Sequence, residues 1–256
     1  MLLYHGTSAI AAQRILKEGI RPRRDELKGI WPDNLKERAG CTYLSDCLAP
    51  LYALAAGNEL KNEDWNKLAL IEVDIEKLDQ DKLWPDEHLD IWGDYDCAKR
   101  IVETRPEDLL STIKDFWPLS LEKHGKVSYW GTISVEAIPR ILLLDLSKNL
   151  RLSIIFDLIA WSRNTRVLSK NYDPQFNSNA LALTKWWAGQ TVKPEEILPD
   201  AVFRDSKIAG TWWLNTLMFA VLGSTPKERY REAEKILSNR PVEILTPDSC
   251  TVCSSS

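Results

Sequence analysis

Four stretches carry side chains whose types and spacing suit chemistry. His5-Gly6-Thr7 closes the apolar-aromatic run Leu2-Leu3-Tyr4. Alone it reads as a strand end and turn, or as a binding group whose ring nitrogens donate and accept hydrogen bonds. Tyr43-Leu44-Ser45-Asp46 is followed by Tyr52. Singly, these residues are a half-buried strand aromatic, a choice of helix N-cap in Ser45 or Asp46, and a helix core ring. Asp86-Glu87-His88-Leu89-Asp90 has the donor types of a metal site, but no second His stands at ligand spacing. We therefore expect no metal there and read an acidic surface loop that contacts an acceptor or a regulatory partner. Cys250 and Cys253 form C-x-x-C, the spacing of zinc and redox pairs, inside a Ser/Thr tail without a second pair or a nearby His. A frayed terminus is expected.

Elements must position these groups. Leu2-Leu3-Tyr4 reads as a short strand, and Ser8 as the N-cap of an amphipathic helix with Ile10, Ile15 and Leu16 on one face, ended by Gly19. A polar stretch leads to a second strand, CTYLSD, and then to a helix, CLAPLYALAAGNEL, with Pro50 in its first turn. LALIEVDI is the clearest strand. Residues 76–118 are irregular, acidic and Trp-bearing, with a helix-like RPEDLLSTIKDFW. KVSYWGTI and AIPRILLLDL complete the strands. Four helical patterns follow: LRLSIIFDLIAWSRN, NALALTKWWAG, DSKIAGTWWLNTLMFAVLG and TPKERYREAEKILSNR. The fold class is α+β over residues 1–146, followed by a helical domain or packed extension over 147–246 and a flexible tail over 247–256.

Composition excludes several classes. The chain has 256 residues, 44% apolar and 27% charged, as in an ordinary globular protein with a real core. A net charge of -4 argues against a general nucleic-acid binder. The basic cluster Arg21, Arg23, Arg24 and Lys28 reads as solvated loop charge. Five cysteines without framework spacing, and no signal peptide, suggest a reducing cytoplasmic setting. The uncharged run Ile208 to Thr225 is of membrane length, yet Gly210, Asn215 and Gly223 make it a buried helix, so no membrane partner is expected. The eleven tryptophans, with pairs at Trp186-Trp187 and Trp212-Trp213, suggest core anchors or a docking surface.

In order and spacing, YHGTS, TYLSD and ALIEVD resemble the ADP-ribosyltransferase fold family. The branch is the one shared by poly-ADP-ribose polymerases, bacterial ADP-ribosyltransferase toxins and RNA 2'-phosphotransferases. YWGTISVEAIPRI is similar to the closing strand pair of small bacterial members. The resemblance covers residues 1 to about 146 and implies a split β-sheet core with NAD as co-substrate. By it, His5 would bond the adenosine ribose, and Gly6 would present backbone to the nicotinamide carboxamide with Thr7 as a polar neighbour. Tyr43 and Tyr52 would sandwich the nicotinamide, and Ser45 would lie near the ribose. Cleavage of the nicotinamide–ribose bond passes through an oxocarbenium-like state that a site must hold in place.

The family's strand Glu has no clear counterpart. Lys126 occupies that position, which leaves Glu122 as the candidate catalytic carboxylate alongside Tyr43, and Glu136 as an exposed turn residue. The resemblance implies an NAD-dependent mono-ADP-ribosyltransferase of toxin or effector type, modifying a protein or nucleic acid. Its helical half would recognise the acceptor or an antitoxin-like regulatory protein. Two alternatives stay open. One is an RNA 2'-phosphotransferase-like enzyme using NAD, for which His124 and the Arg cluster supply basic groups. The other is a non-catalytic module that binds NAD or nucleic acid, for which Lys126 speaks.

Overall fold

The computed structural model describes residues 1–22, 40–58, 60, 66–86, 116–167, 174–204 and 212–247. Arg23, Arg24, Lys28, Glu87, His88, Asp90, Cys97, Cys250, Cys253 and all but the last two residues of the predicted helix RPEDLLSTIKDFW lie outside them. Strand β1 covers Leu2–Ser8, β2 Cys41–Ser45, β3 Lys67–Asp74, β4 Leu83–Pro85, β5 Lys126–Trp130, β6 Ile141–Asp145 and β7 Val242–Leu245. Helix α1 covers Ala9–Glu18, α2 Ala49–Asn58, α3 Trp117–His124, α4 Leu150–Val167 and α5 Pro174–Trp187. The short α6 (Pro194–Ile197) and α7 (Asp200–Phe203) precede α8 (Trp212–Leu222) and α9 (Pro226–Ser238). The strands form one antiparallel sheet in the order β4-β5-β2-β1-β3-β6-β7.

The sheet is covered on both faces, and β3 shows why its sequence is an unbroken apolar run. Ala69, Ile71 and Val73 pack on one face with Ala12, Ile15 and Leu16 of α1. Leu68 and Leu70 pack on the other with α2 and the C-terminal helices. Ser8 caps α1 as expected, accepting a bond from Ala11 N at 3.4 Å. Ile10, expected on the buried stripe of α1, is exposed, and Ala12 takes its place.

Three elements differ from the sequence reading. First, β1 does not end at Tyr4 but runs through His5-Gly6-Thr7 to Ser8, because β3 registers a partner for every residue from Leu2 to Ser8. Second, α3 occupies Trp117–His124, with Pro118 in its first turn and Gly125 at φ 66° closing it. Third, β4 and β7 add edge strands in LWP and VEIL, runs too short for a period-two pattern to show. The pairing of β7 with β6 also carries the segment after 147 back to the sheet. That segment shares one core with the strands, in which Leu142 and Leu144 meet Phe156, Leu183 and Trp187. Trp186 and Trp187 are core anchors, and Trp186 Nε1 donates to Leu237 O at 2.8 Å. Among the described residues no helix is long and apolar enough to cross a membrane.

Candidate functional site

The two edges of β1 differ. Against β3 it registers seven pairs, and against β2 only one, Tyr4 with Ser45. Backbone phase shows what this exposes. Ile75 N donates to Met1 O at 3.2 Å, so the peptide groups of Met1, Leu3, His5 and Thr7 face β3. Glu72 N donates to Arg140 O at 3.1 Å, which gives the same phase from the far edge of β3. The peptide groups of Tyr4, Gly6 and Ser8 therefore face β2. Beyond the Tyr4–Ser45 pair the ladder stops, so Gly6 N–H and C=O face β2 without a registered partner. His5 crosses this split, with Nδ1 3.0 Å from Tyr43 O. A carbonyl only accepts, so Nδ1 carries the proton in that bond.

Side-chain alternation divides the predicted site between the two faces of the sheet. His5 and Thr7 share the face of Leu3, on the α1 side, as Thr42 shares the face of Leu44. Tyr43 and Ser45 point to the α2 side, as does Tyr4. Tyr52 is half-buried on α2 against the core of that side. The sequence reading gathers His5, Tyr43 and Tyr52 around one ligand. In the structure the His5 ring takes one face of the sheet and the two phenols the other, and His5 meets the backbone of Tyr43.

Gly6 and Ser45 have structural tasks. A Cβ on Gly6 would lie 1.8 Å from Ala49 O and 2.7 Å from Ala53 N, so on that face the missing side chain admits α2. The approach left to a ligand is along the backbone edge. Ser45 is fully buried, its hydroxyl donating to Gly125 O and accepting from Cys47 N at 3.1 Å and Leu48 N at 2.6 Å. It thereby satisfies the amides of the turn into α2, close to the capping role its sequence position suggested.

Glu122 is exposed on α3, and β5 begins at Lys126. His124 is the last residue of the same helix, and Arg21 pairs with Glu18 at 3.6 Å on the surface. Glu136 is exposed in a short helical turn, as the sequence indicated. Lys126 Nζ lies 2.9 Å from Oδ1 of Asp86, whose side chain is 2% exposed against 18% for Lys126. Asp86, read from sequence as part of an acidic surface loop, is thus a buried counter-ion. This pair opens a polar row in which Lys126, Ser45, Tyr4 and Glu72 stand on four neighbouring strands, with Asp86 just after β4 at one end and Arg140 just before β6 at the other. At its far end Arg140 grips the buried Glu72 with two bonds of 2.6 and 2.8 Å and donates to Ala188 O at 3.2 Å. Burial and the Glu72 charge raise the pKa of the Tyr4 phenol.

Beyond Ser45, burial raises the pKa of the Asp46 carboxyl, and its Oδ1 is buried with no hydrogen-bond partner. Burial, and then the neighbouring Asp46 charge, push the Cys47 thiol well above its usual range. Cys47 is therefore an inert thiol rather than a nucleophile. Among the described residues no group of three or more His, Cys, Asp or Glu side chains is placed to hold a metal ion.

Sequence reasoning missed Thr42, Glu72 and the partnership of Lys126 with Asp86. Glu72 had a signal, as the one charge inside LALIEV, a run buried on both faces. Comparison with protein-family models, curated proteins and solved structures returns no match to the chain.

Proposed function

We propose that the chain is an NAD-dependent mono-ADP-ribosyltransferase of the toxin or effector type, acting on a protein or nucleic-acid acceptor. One observation carries the reading: Gly6 offers an N–H and a C=O, side by side, to the split between β1 and β2. A primary carboxamide is the small planar group that answers such an edge, accepting at its oxygen and donating at its nitrogen. Two hydrogen bonds of this kind contribute about 1 kcal/mol each. In this reading His5 holds the adenosine ribose while its Nδ1 fixes the width of the split, Thr7 is a polar neighbour, and Tyr43 and Tyr52 supply the stacking rings. Ser45 acts on the site by shaping the turn into α2. Glu122 is the carboxylate proposed for the oxocarbenium-like state, reaching in from α3.

A second reading has its own observation. The strand position where the family carries Glu holds Lys126, neutralised by Asp86. That arrangement favours a non-catalytic module that binds NAD in the same split.

Incubating the protein with NAD labelled on its adenylate half and with cell lysate, with and without RNase, separates the readings. Label transferred to macromolecules supports the enzyme, and RNase sensitivity identifies the acceptor class. NAD binding with neither transfer nor nicotinamide release supports the binding module. Absence of NAD binding overturns both.

A further inference from the structure

The α1-side face of the split carries three polar side chains from two strands, His5 and Thr7 on β1 and Thr42 on β2, amid an apolar layer that includes Leu3, Leu44 and Ile71. Thr42 differs from the other two. It is 3% exposed, and its Oγ1 is buried with no hydrogen-bond partner. In a continuous ladder the Tyr4–Ser45 register would set Thr42 opposite Thr7, but the ladder stops before reaching them. A valine of the same shape fits a strand at least as well and leaves no orphaned hydroxyl, so packing alone does not account for threonine here.

We infer that Thr42 is a further ligand-binding residue of the split, its hydroxyl pairing with a ribose hydroxyl of the bound nucleotide. A ribose hydroxyl both donates and accepts, as the threonine hydroxyl does, and the adjacent Gly6 edge takes the complementary carboxamide. This inference rests on the NAD reading above. It deepens that reading by placing nucleotide contacts on the α1-side wall from both strands.

The test is calorimetric titration of NAD into the wild type and the variants Thr42→Val, Thr42→Ser and His5→Ala, with a thermal melt of each. Thr42→Val is expected to weaken NAD binding about tenfold, the loss of one hydrogen bond to a group left buried. Its melting temperature should be equal to or above that of the wild type, because the orphaned hydroxyl is gone. Thr42→Ser, which keeps the hydroxyl, is expected to bind within about threefold of the wild type. If His5→Ala loses affinity while Thr42→Val binds as the wild type does, the inference is overturned and the NAD reading stands. If Thr42→Val loses affinity together with a clear fall in melting temperature, or if Thr42→Ser loses it equally, Thr42 is structural and the inference is overturned. If the wild type does not bind NAD, the parent reading falls and this inference with it.

Discussion

One strand, β1, has two edges built on different terms. Along β3 every residue from Leu2 to Ser8 finds a partner, and Glu72 and Arg140 pin the outer flank. Along β2 the ladder is a single pair, and the side chain of His5 meets a β2 carbonyl where a peptide group would otherwise do so. The first edge is a structural seam and the second, in the reading proposed above, an opening. Strand β3 is an eight-residue strand buried on both faces that pairs with β1 over seven residues, whereas the five-residue β2 pairs with β5 along its whole length and with β1 once. Polar residues concentrate where β1 leaves one neighbour for the other.

Substitutions at the two edges should therefore read out differently. The largest effect is expected from Gly6→Ala, whose Cβ would sit inside the carbonyl of Ala49. The cost is about 3 kcal/mol or more, seen as a lowered denaturation midpoint, because backbone and not a flexible side chain must move. A midpoint near that of the wild type would mean that α2 does not rest on β1. At the seam, Glu72→Ala removes a 2% exposed carboxylate and strands Arg140, which at 36% exposure can partly turn to water. About 2–3 kcal/mol of stability should go, with NAD affinity in the folded protein unchanged. Parallel loss of affinity would show that the two edges are not independent.

At the opening, His5→Ala gives the reverse pattern. It should cost about 1 kcal/mol of stability, for one partly buried hydrogen bond, while NAD affinity falls at least about tenfold. Large destabilisation with unchanged affinity would make His5 a strut and nothing more. The smallest effect belongs to Asp46. Its folded carboxyl has a raised pKa, so the native state holds that proton more tightly than the unfolded chain does. Its stabilising contribution is full below the ordinary aspartate range and is lost as pH rises through the folded pKa. Cys47 of the turn into α2 and Lys185 of α5 face this carboxyl. Asp46→Asn should remove that slope from melting temperature against pH above the ordinary aspartate range. An identical slope in the variant would assign the dependence to another group.

Much of this was legible in the sequence, and the reasons for the rest are physical. The 3.6-residue pattern and cap at Ser8 marked α1, and an unbroken apolar run marked β3, because these signals are local. The HGT segment suggested a turn because Gly and Thr are common there, but pairing with β3 overrides that preference over the whole length of β1. Gly6 was read as leaving room for a ligand, and on one face that room belongs to a helix more than forty residues away. Which face His5 and Tyr43 take depends on a cross-strand register that no local pattern encodes. The partnership of Lys126 with Asp86 depends in the same way on β4, a three-residue strand with Pro85 in it.

The central claim is that the Gly6 edge of β1 is open in the free protein and taken by the nicotinamide end of NAD. Residue-level amide hydrogen exchange, with and without saturating NAD, tests it most directly. The account predicts that the Gly6 amide exchanges at least about tenfold faster than those of His5 and Thr7, which face β3, and slows when NAD is added. A Gly6 amide as protected as its neighbours in the free protein, or one that NAD leaves unchanged, would contradict it.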